Sequence, residues 1–402
     1  MSDILLSKEN LHWRDLARQI AEEHVRPVAA EYDRKQEYPW PIQKVMAEAG
    51  LSGVWIPEEF GGSAGETPVL NLCLVVEQIS RACGGIGVSF AVNALGSFPI
   101  LLGGTDEQKE KYLPDIAAGR SLIAFCLSEK TAGSDAGGMK ARAQRDGDEF
   151  VLNGEKKWTT NGGVADIYTL FAVTDPNSRS RRISAIIVEK ETAGFSIGKV
   201  EDKMGIRCVP VTETVFDNCR VPASNLLGGR EGAGFKHAMQ TLDHARPGVA
   251  GQALGLAQGA LDLALHWATR RVQFGKPIAA LGQMQGKLAD MAAKVSAARH
   301  LVYASALNID KGAKNINGLA AQAKLFATNV AMEVTTEAVQ VFGGYGYMKD
   351  YPIEKFMRDA KITQIYEGTN EVQRLVVARN LMKSAGSLDH LKDYCPMPWE
   401  DE

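Results

Sequence analysis

Three Ala-, Leu- and Gln-rich segments, at 248–271, 281–311 and 317–341, constrain the fold of this chain most. Their apolar residues recur at helical spacing, and they are divided by Phe274-Gly275-Lys276-Pro277 and by residues 312–318. Helices of that length bury their stripes against one another, so an antiparallel bundle is expected. The chain ahead of them has two textures. From Leu11 to about Arg120 it also reads helical, with Trp13, Leu16, Ala17 and Ile20 on one face. Between Ser121 and about Gly234 short β-branched or aromatic runs alternate with turn residues, and Asp166–Val173, Ile183–Val188 and Thr212–Phe216 are strand candidates. The order helix, strand, helix predicts an α+β chain: an all-helical domain over 1–120, a β-sheet domain over 121–234, a helical bundle over 235–385 and a polar tail over 386–402.

A chain of 402 residues with 45% hydrophobic and 23% charged residues can bury a sizeable core, and a net charge of −3 gives no bias toward nucleic acid. No stretch is expected to approach the roughly 20 apolar residues of a membrane span. The start, Met1 to Arg14, carries neither a secretory core nor an Arg-rich presequence, so a bacterial-type cytoplasm is expected. Cysteines 73, 83, 126, 208, 219 and 395 form no C-x-x-C pair and read as reduced packing residues; no H-E-x-x-H marks a metal site, and none is expected.

No G-x-G-x-x-G follows a strand, so a nucleotide cofactor would have to sit between domains, held by loops and helix ends. Three segments carry chemistry. Phe125-Cys126-Leu127-Ser128-Glu129-Lys130-Thr131-Ala132-Gly133-Ser134-Asp135 runs from a strand into a turn with the amides and hydroxyls that could bond a heteroaromatic edge and a pyrophosphate. An ordinary strand exit would look the same. Lys157-Trp158-Thr159-Thr160-Asn161-Gly162-Gly163 puts an indole and a hydroxyl on one strand face, although a strand tryptophan is more often core. Ile365-Tyr366-Glu367-Gly368-Thr369-Asn370-Glu371 sets a carboxylate between a bulky ring and a glycine, where a cap or surface acid is the plainer reading.

Together these segments resemble the acyl-CoA dehydrogenase family over roughly Leu11 to Leu381. Lys203-Met204-Gly205-Ile206-Arg207, Arg271-Val272-Gln273-Phe274-Gly275-Lys276 and Gln340-Val341-Phe342-Gly343-Gly344 agree in order and spacing. The resemblance implies an acyl-CoA dehydrogenase-like fold with an N-terminal helical domain, a central β domain and a C-terminal four-helix bundle, assembled as a homotetramer. It implies FAD, with Phe125, Leu127, Ser128, Trp158 and Thr160 around the flavin ring, and with Arg271, Gln273, Phe274, Gln340, Gly343 and Gly344 on the adenosine and pyrophosphate end, in part across a subunit interface. Thr369 and Glu371 complete the cofactor site, and Ser134, Asp243 and Arg246 match positions on the coenzyme A arm. Glu367 is implied as the base that takes the α-proton while the β-carbon gives a hydride to the flavin, its backbone N–H helping to polarise the thioester carbonyl. Tyr366 walls the site and Gly368 admits the thioester. Burial would raise the carboxyl toward the range a base needs. Electron-transferring flavoprotein is the implied acceptor.

Some members carry the base just before the Arg of a Leu-Asp-x-x-Arg stretch; here that position is Ala245, and neighbouring His244 reads as a surface or packing residue. Gly282 and Gly286 replace a glutamine and an aromatic, so the resemblance carries no adenine contact there, and Cys208-Val209-Pro210-Val211 replaces a hydroxyl-bearing stretch on the coenzyme arm. Gly87 and Ala91, on a helix expected to floor the acyl pocket, are expected to leave room for a short or medium, branched or cyclic acyl group. Alternatives are an arylalkanoyl or dicarboxylic acyl-CoA, another flavoenzyme chemistry such as nitroalkane oxidation or monooxygenation, and a binding module without flavin.

Overall fold

The computed structural model describes residues 6–391. Residues 1–5, and the expected tail from 392 onward with Cys395, lie outside the described residues. The N-terminal domain is helical: α1 (Lys8–Ile20), which runs into a π turn at Ala21–Val25, then α2 (Ala29–Lys35), α3 (Trp40–Glu48), α4 (Pro68–Ala82), α5 (Gly84–Gly103) and α6 (Asp106–Ala117). Two of these start on reciprocal caps, Ser7 with Asn10 and Thr105 with Gln108, which satisfy backbone donors that a helix start leaves open.

The central β domain is one curled sheet of β1 (Ile123–Cys126), β2 (Arg142–Asp146), β3 (Glu149–Thr160), β4 (Ile167–Val173), β5 (Ile183–Glu189), β6 (Phe195–Val200) and β7 (Val211–Pro222). The order runs β1-β4-β2-β3-β7-β6, with β5 antiparallel on β4. β4 is buried along its whole length because helices cover one face and the sheet's own core the other, whereas β6 is mostly exposed at the edge.

The C-terminal bundle consists of α7 (Gly234–Arg270), α8 (Gly282–Asp310), α9 (Ile316–Phe342) and α11 (Asn370–Lys383), with α10 (Ile353–Thr363) packed across α7 and α9. A hairpin, β8 (Val272–Gln273) and β9 (Lys276–Pro277), follows α7. α7 reaches back to Gly234 through Pro247, well ahead of its periodic stretch. Gly251, Gly255 and Gly259 form the face of α7 that meets α4: a Cβ at Gly255 would lie 2.2 Å from the Glu77 carbonyl oxygen, and at Gly259 2.3 Å from that of Arg81. Gly255→Val is therefore expected to cost about 1–3 kcal/mol by forcing the helices apart. Urea unfolding checks this, and an unchanged midpoint would show that the contact can open freely.

The structure corrects two expectations. Among the described residues one helix, α5, does have the length and apolar character of a membrane span, with 20 residues and an 18-residue window of mean hydropathy 1.7. Its Gly, Ser, Asn and Pro interruptions hide the run, and 78% of that window is buried inside the protein, where α5 packs on α4, α7 and β1. The second correction concerns Gly87. A Cβ there would lie 2.0 Å from Ser80 Oγ, so the glycine permits close approach to α4 and opens no pocket.

Candidate active site

Glu367 sits in the turn between α10 and α11, and its backbone is left-handed, with φ 53°; Gly368 follows at φ 89°. A non-glycine residue in this region is strained by roughly 1–2 kcal/mol, so the turn must be held from outside. Three contacts hold it. Gln373 Nε2 donates to the Gly368 carbonyl at 2.8 Å and to that of Glu367 at 3.3 Å, while Lys324 Nζ, from α9, donates to the Gly368 carbonyl at 3.0 Å. Thr369 then caps α11 by accepting from the Val372 N–H. The Glu367 N–H makes no hydrogen bond within the protein among the described residues, so it is free to donate to a ligand.

The carboxyl matters most. Glu367 as a residue is half-buried, but its Oε2 is fully buried and has no hydrogen-bond partner among the described residues. Burial disfavours the charged form and pushes its pKa up to about 7, against the opposing charges of Lys324 and then Arg246. Arg246 is 5% exposed, is paired through Nη1 with Asp243 Oδ1, and has an Nε without a partner. Tyr366 donates its hydroxyl to Gln252 Oε1, which sets its ring against α7. Ala245 is a buried alanine, and His244 bonds the Gln240 carbonyl through Nδ1 and lies against Phe98.

A second group assembles on the β domain. Lys157 N donates to the Ser128 carbonyl at 2.9 Å, joining the exit of β1 to β3. A bulge between Lys156 and Thr159, with Trp158 at φ 58°, carries the indole out of the sheet to 55% exposure. The bulge therefore corrects the expected simple alternation, although Trp158 and Thr160 both stay off the buried face. Neither the Ser128 nor the Thr160 hydroxyl has a protein partner among the described residues. Phe125, Leu127, Leu242 and Tyr366 border one apolar cluster, which links this ridge to the Glu367 turn. An exposed indole beside two free hydroxyls and an apolar lip suits a flat, amphipathic heteroaromatic ring. Ser134 lies exposed at the end of the same turn.

Other candidates lie elsewhere. Arg271, Gln273, Phe274, Gly343 and Gly344 line a concavity of about 570 Å³ at the far end of the bundle, and exposed Gln340 lies one turn before it on α9. Phe274 and Gly275, both left-handed, form the tip of the β8–β9 hairpin, and the Phe274 ring is 89% exposed. Arg271 lies over the Tyr345 ring at 5.3 Å. Lys324 and Phe342 mark the two sites on α9 and are separated by about 27 Å at a rise of about 1.5 Å per residue. Gly282 and Gly286 are open steps beside this concavity, with no atom within 4 Å of a Cβ. Glu371 is exposed, pairs with Arg374 and interacts with the Thr369 side chain.

Sequence reasoning missed four residues here. Lys324 interrupts the buried alanine stripe of Ala320, Ala323, Ala327 and Ala331, and a charge on such a stripe was the available signal. Lys156, an inward position of β3, donates to the Leu127 carbonyl at 3.0 Å and to Glu129 Oε1 at 2.8 Å; Glu129 in turn accepts from the N–H groups of Lys140 and Ala141. Gln373 had no sequence signal, since its role depends on the turn geometry.

Family models for the N-terminal, middle and C-terminal domains of acyl-CoA dehydrogenases match residues 7–120, 124–219 and 232–382. A relative named acryloyl-CoA reductase (NADH), from Anaerotignum propionicum, is 49% identical over 95% of this chain and 96% of its own. A solved chain from work on the electron transferring flavoprotein of Acidaminococcus fermentans superposes with a TM-score of 0.92 at 46% identity, covering 94% of this chain and 99% of that one. Butyryl-CoA dehydrogenase from Megasphaera elsdenii superposes with a TM-score of 0.91 at 44% identity, over 94% and 99%.

Proposed function

Because the chain belongs to the acyl-CoA dehydrogenase family of oxidoreductases, we propose that it converts an acyl-CoA thioester to the trans-2-enoyl-CoA, with Glu367 taking the α-proton. The observation that carries this is the buried, unpartnered Oε2 of Glu367 in a turn held by α9 and α11. An ordinary carboxylate is too weak a base for a carbon acid, and a pKa near 7 places Glu367 where a general base works best at neutral pH. The free Glu367 N–H is available to polarise the thioester carbonyl as charge develops on its oxygen. FAD, when bound, would supply the acceptor for the hydride from the β-carbon.

Trp158 offers its indole face to the flavin ring, Ser128 and Thr160 offer it hydroxyls, and Phe125 and Leu127 exclude water from one edge. Arg271, Gln273, Phe274, Gln340, Gly343 and Gly344 suit the adenosine and pyrophosphate end. Because they lie far along the bundle from Glu367, they would serve the FAD of a second copy, in keeping with a homotetramer whose partner covers Phe274. Thr369 and Glu371 flank the cofactor, while Ser134, Asp243 and Arg246 meet the coenzyme A arm.

A short or medium acyl group, unbranched, branched or cyclic, is the proposed substrate class, with Ala91 and Leu95 on the half-exposed face of α5 as its floor. Relatives named for acryloyl and butyryl thioesters favour the short end. Electron-transferring flavoprotein is the proposed electron partner, which the likeness to a chain from that work supports. The reductase relative favours one second reading, the same site run backward with Glu367 returning the proton to the α-carbon.

The test is anaerobic titration of the FAD-bound protein with butyryl-, octanoyl-, isobutyryl- and cyclohexanecarbonyl-CoA. Bleaching of the flavin band by at least one is expected. The rate of bleaching should rise with pH through about 7, because Glu367 acts as a base only after losing its proton. A flavoprotein that no acyl thioester bleaches, but that is reoxidised by an enoyl thioester after chemical reduction, would favour the reverse direction. A protein that takes up no flavin overturns both readings.

A further inference from the structure

We propose that Lys324 is a positioning residue for Glu367: its ammonium clamps the left-handed turn that carries the carboxyl and sets a positive charge toward it. This rests on the reading of Glu367 as the base.

Lys324 is 0% exposed, and its Nζ lies 3.0 Å from the Gly368 carbonyl oxygen and 3.0 Å from Asn370 Oδ1. Among the described residues it makes no salt bridge, which is unusual for a buried lysine. A buried ammonium without an ion pair is a poor device for stability, and an apolar side chain of its length would serve packing better. Its bonds go to the backbone carbonyl directly after the carboxyl-bearing residue and to the side chain of Asn370, which opens α11. Asn370, which receives one of them, is tied in turn to Thr328 and Asn329 of α9, so Lys324 is the charged member of a frame joining α9 to the turn. Gln373 grips the same Gly368 carbonyl from α11 without carrying charge.

The charged and titratable groups around Glu367 are few. α7 contributes Arg246 with its partner Asp243, α9 contributes Lys324, α11 contributes exposed Glu371, and the turn itself contributes Tyr366, which Asp359 of α10 also influences. Lys324 is the largest opposing influence on the upward shift of Glu367, ahead of Arg246. Burial in turn brings Lys324 down to about 7, with the Glu367 charge as the largest opposing influence. The lysine thus does two separable things. Its hydrogen bonds hold the angle at which the carboxyl leaves the turn, and its charge keeps that carboxyl ionisable in a site that otherwise favours the neutral acid.

Lys324→Met and Gln373→Leu separate them. In FAD-bound protein, the Glu367 carboxyl is followed by 13C NMR across pH and assigned against Glu367→Gln, and turnover is measured in parallel. Lys324→Met is expected to raise the Glu367 midpoint by about one unit and to lower kcat by about 10²-fold with little change in KM, the size of effect that a small misplacement of a reacting group produces. Gln373→Leu is expected to lower kcat without moving the midpoint. An unmoved midpoint in Lys324→Met overturns the proposal. Should that variant not fold, Lys324→Gln, which keeps a donor but no charge, takes its place; failure of both to fold assigns the lysine to folding and overturns it as well. If the wild-type protein oxidises no thioester, the proposed function fails, yet the NMR titration still decides whether Lys324 governs Glu367.

Discussion

Replacing Glu367 by glutamine is expected to lower the rate of thioester oxidation by about 10³- to 10⁴-fold, the upper part of the range that a positioned general base contributes. The substitution changes shape very little, and the buried Oε2 it replaces has no protein partner to lose. FAD content should therefore match wild type, since the proposed ring contacts lie on β1 and β3. The pH dependence adds a second signature. Glu367 has a folded pKa raised from 4.5 to about 7, so the protonated form is the better fit to the folded protein. Stability from this group is full below pH 4.5 and is lost as pH rises through 7. Lys324, whose pKa is lowered from 10.5 to about 7, acts in the opposite sense only above neutrality, and it is present in both proteins; the comparison belongs at pH 8, where wild-type Glu367 is ionised and the glutamine variant should melt no lower than wild type. The measurements are stopped-flow bleaching and thermal melts at that pH. A variant that oxidises its thioester at the wild-type rate would remove Glu367 from the chemistry.

Lys156→Met is expected to have the largest effect on folding, a loss of about 3–5 kcal/mol, because it strands a buried carboxylate. Lys156 and Glu129 are both buried, and between them they tie down the Leu127 carbonyl and the N–H groups of Lys140 and Ala141. That frame lies directly under Ser128 and next to the bulge that presents Trp158. Protein that does accumulate should hold FAD weakly, with its flavin band lost on desalting. The double variant Lys156→Met, Glu129→Gln removes both charges and should recover much of the stability, since replacing a whole buried pair costs far less than breaking it. Denaturant unfolding of the four-member cycle measures the coupling. A single variant within about 1 kcal/mol of wild type would show that the pair is not an anchor.

How far the site could be read in advance differed by residue. Glu367 and Gly368 stand out only through the family resemblance of their segment, because a carboxylate beside a glycine, read by itself, is a cap or surface acid. Trp158 was legible as a large aromatic near hydroxyls, but its bulge was not, because a register shift depends on pairing with β7. Gly87 was misread: a glycine that looks like room in a pocket is indistinguishable, one residue at a time, from one pressed against another helix. α5 was missed as a span-like helix for a related reason, since a mean over many residues is not visible in a scan for unbroken apolar runs.

The amino-acid sequence by itself determined the order of helix, strand and helix, the caps that start α1 and α6, and the placing of a carboxylate next to the glycine of a turn. Each of these depends on residues within a few positions of one another. Only the tertiary structure decided that Glu367 Oε2 is buried, that the charges of Lys324 and Arg246 bear on it, and that Arg271 and Phe274 lie far along the bundle from it. Desolvation and charge pairing are sums over neighbours in space, and here those neighbours arrive on α7 and α9, which are distant along the chain.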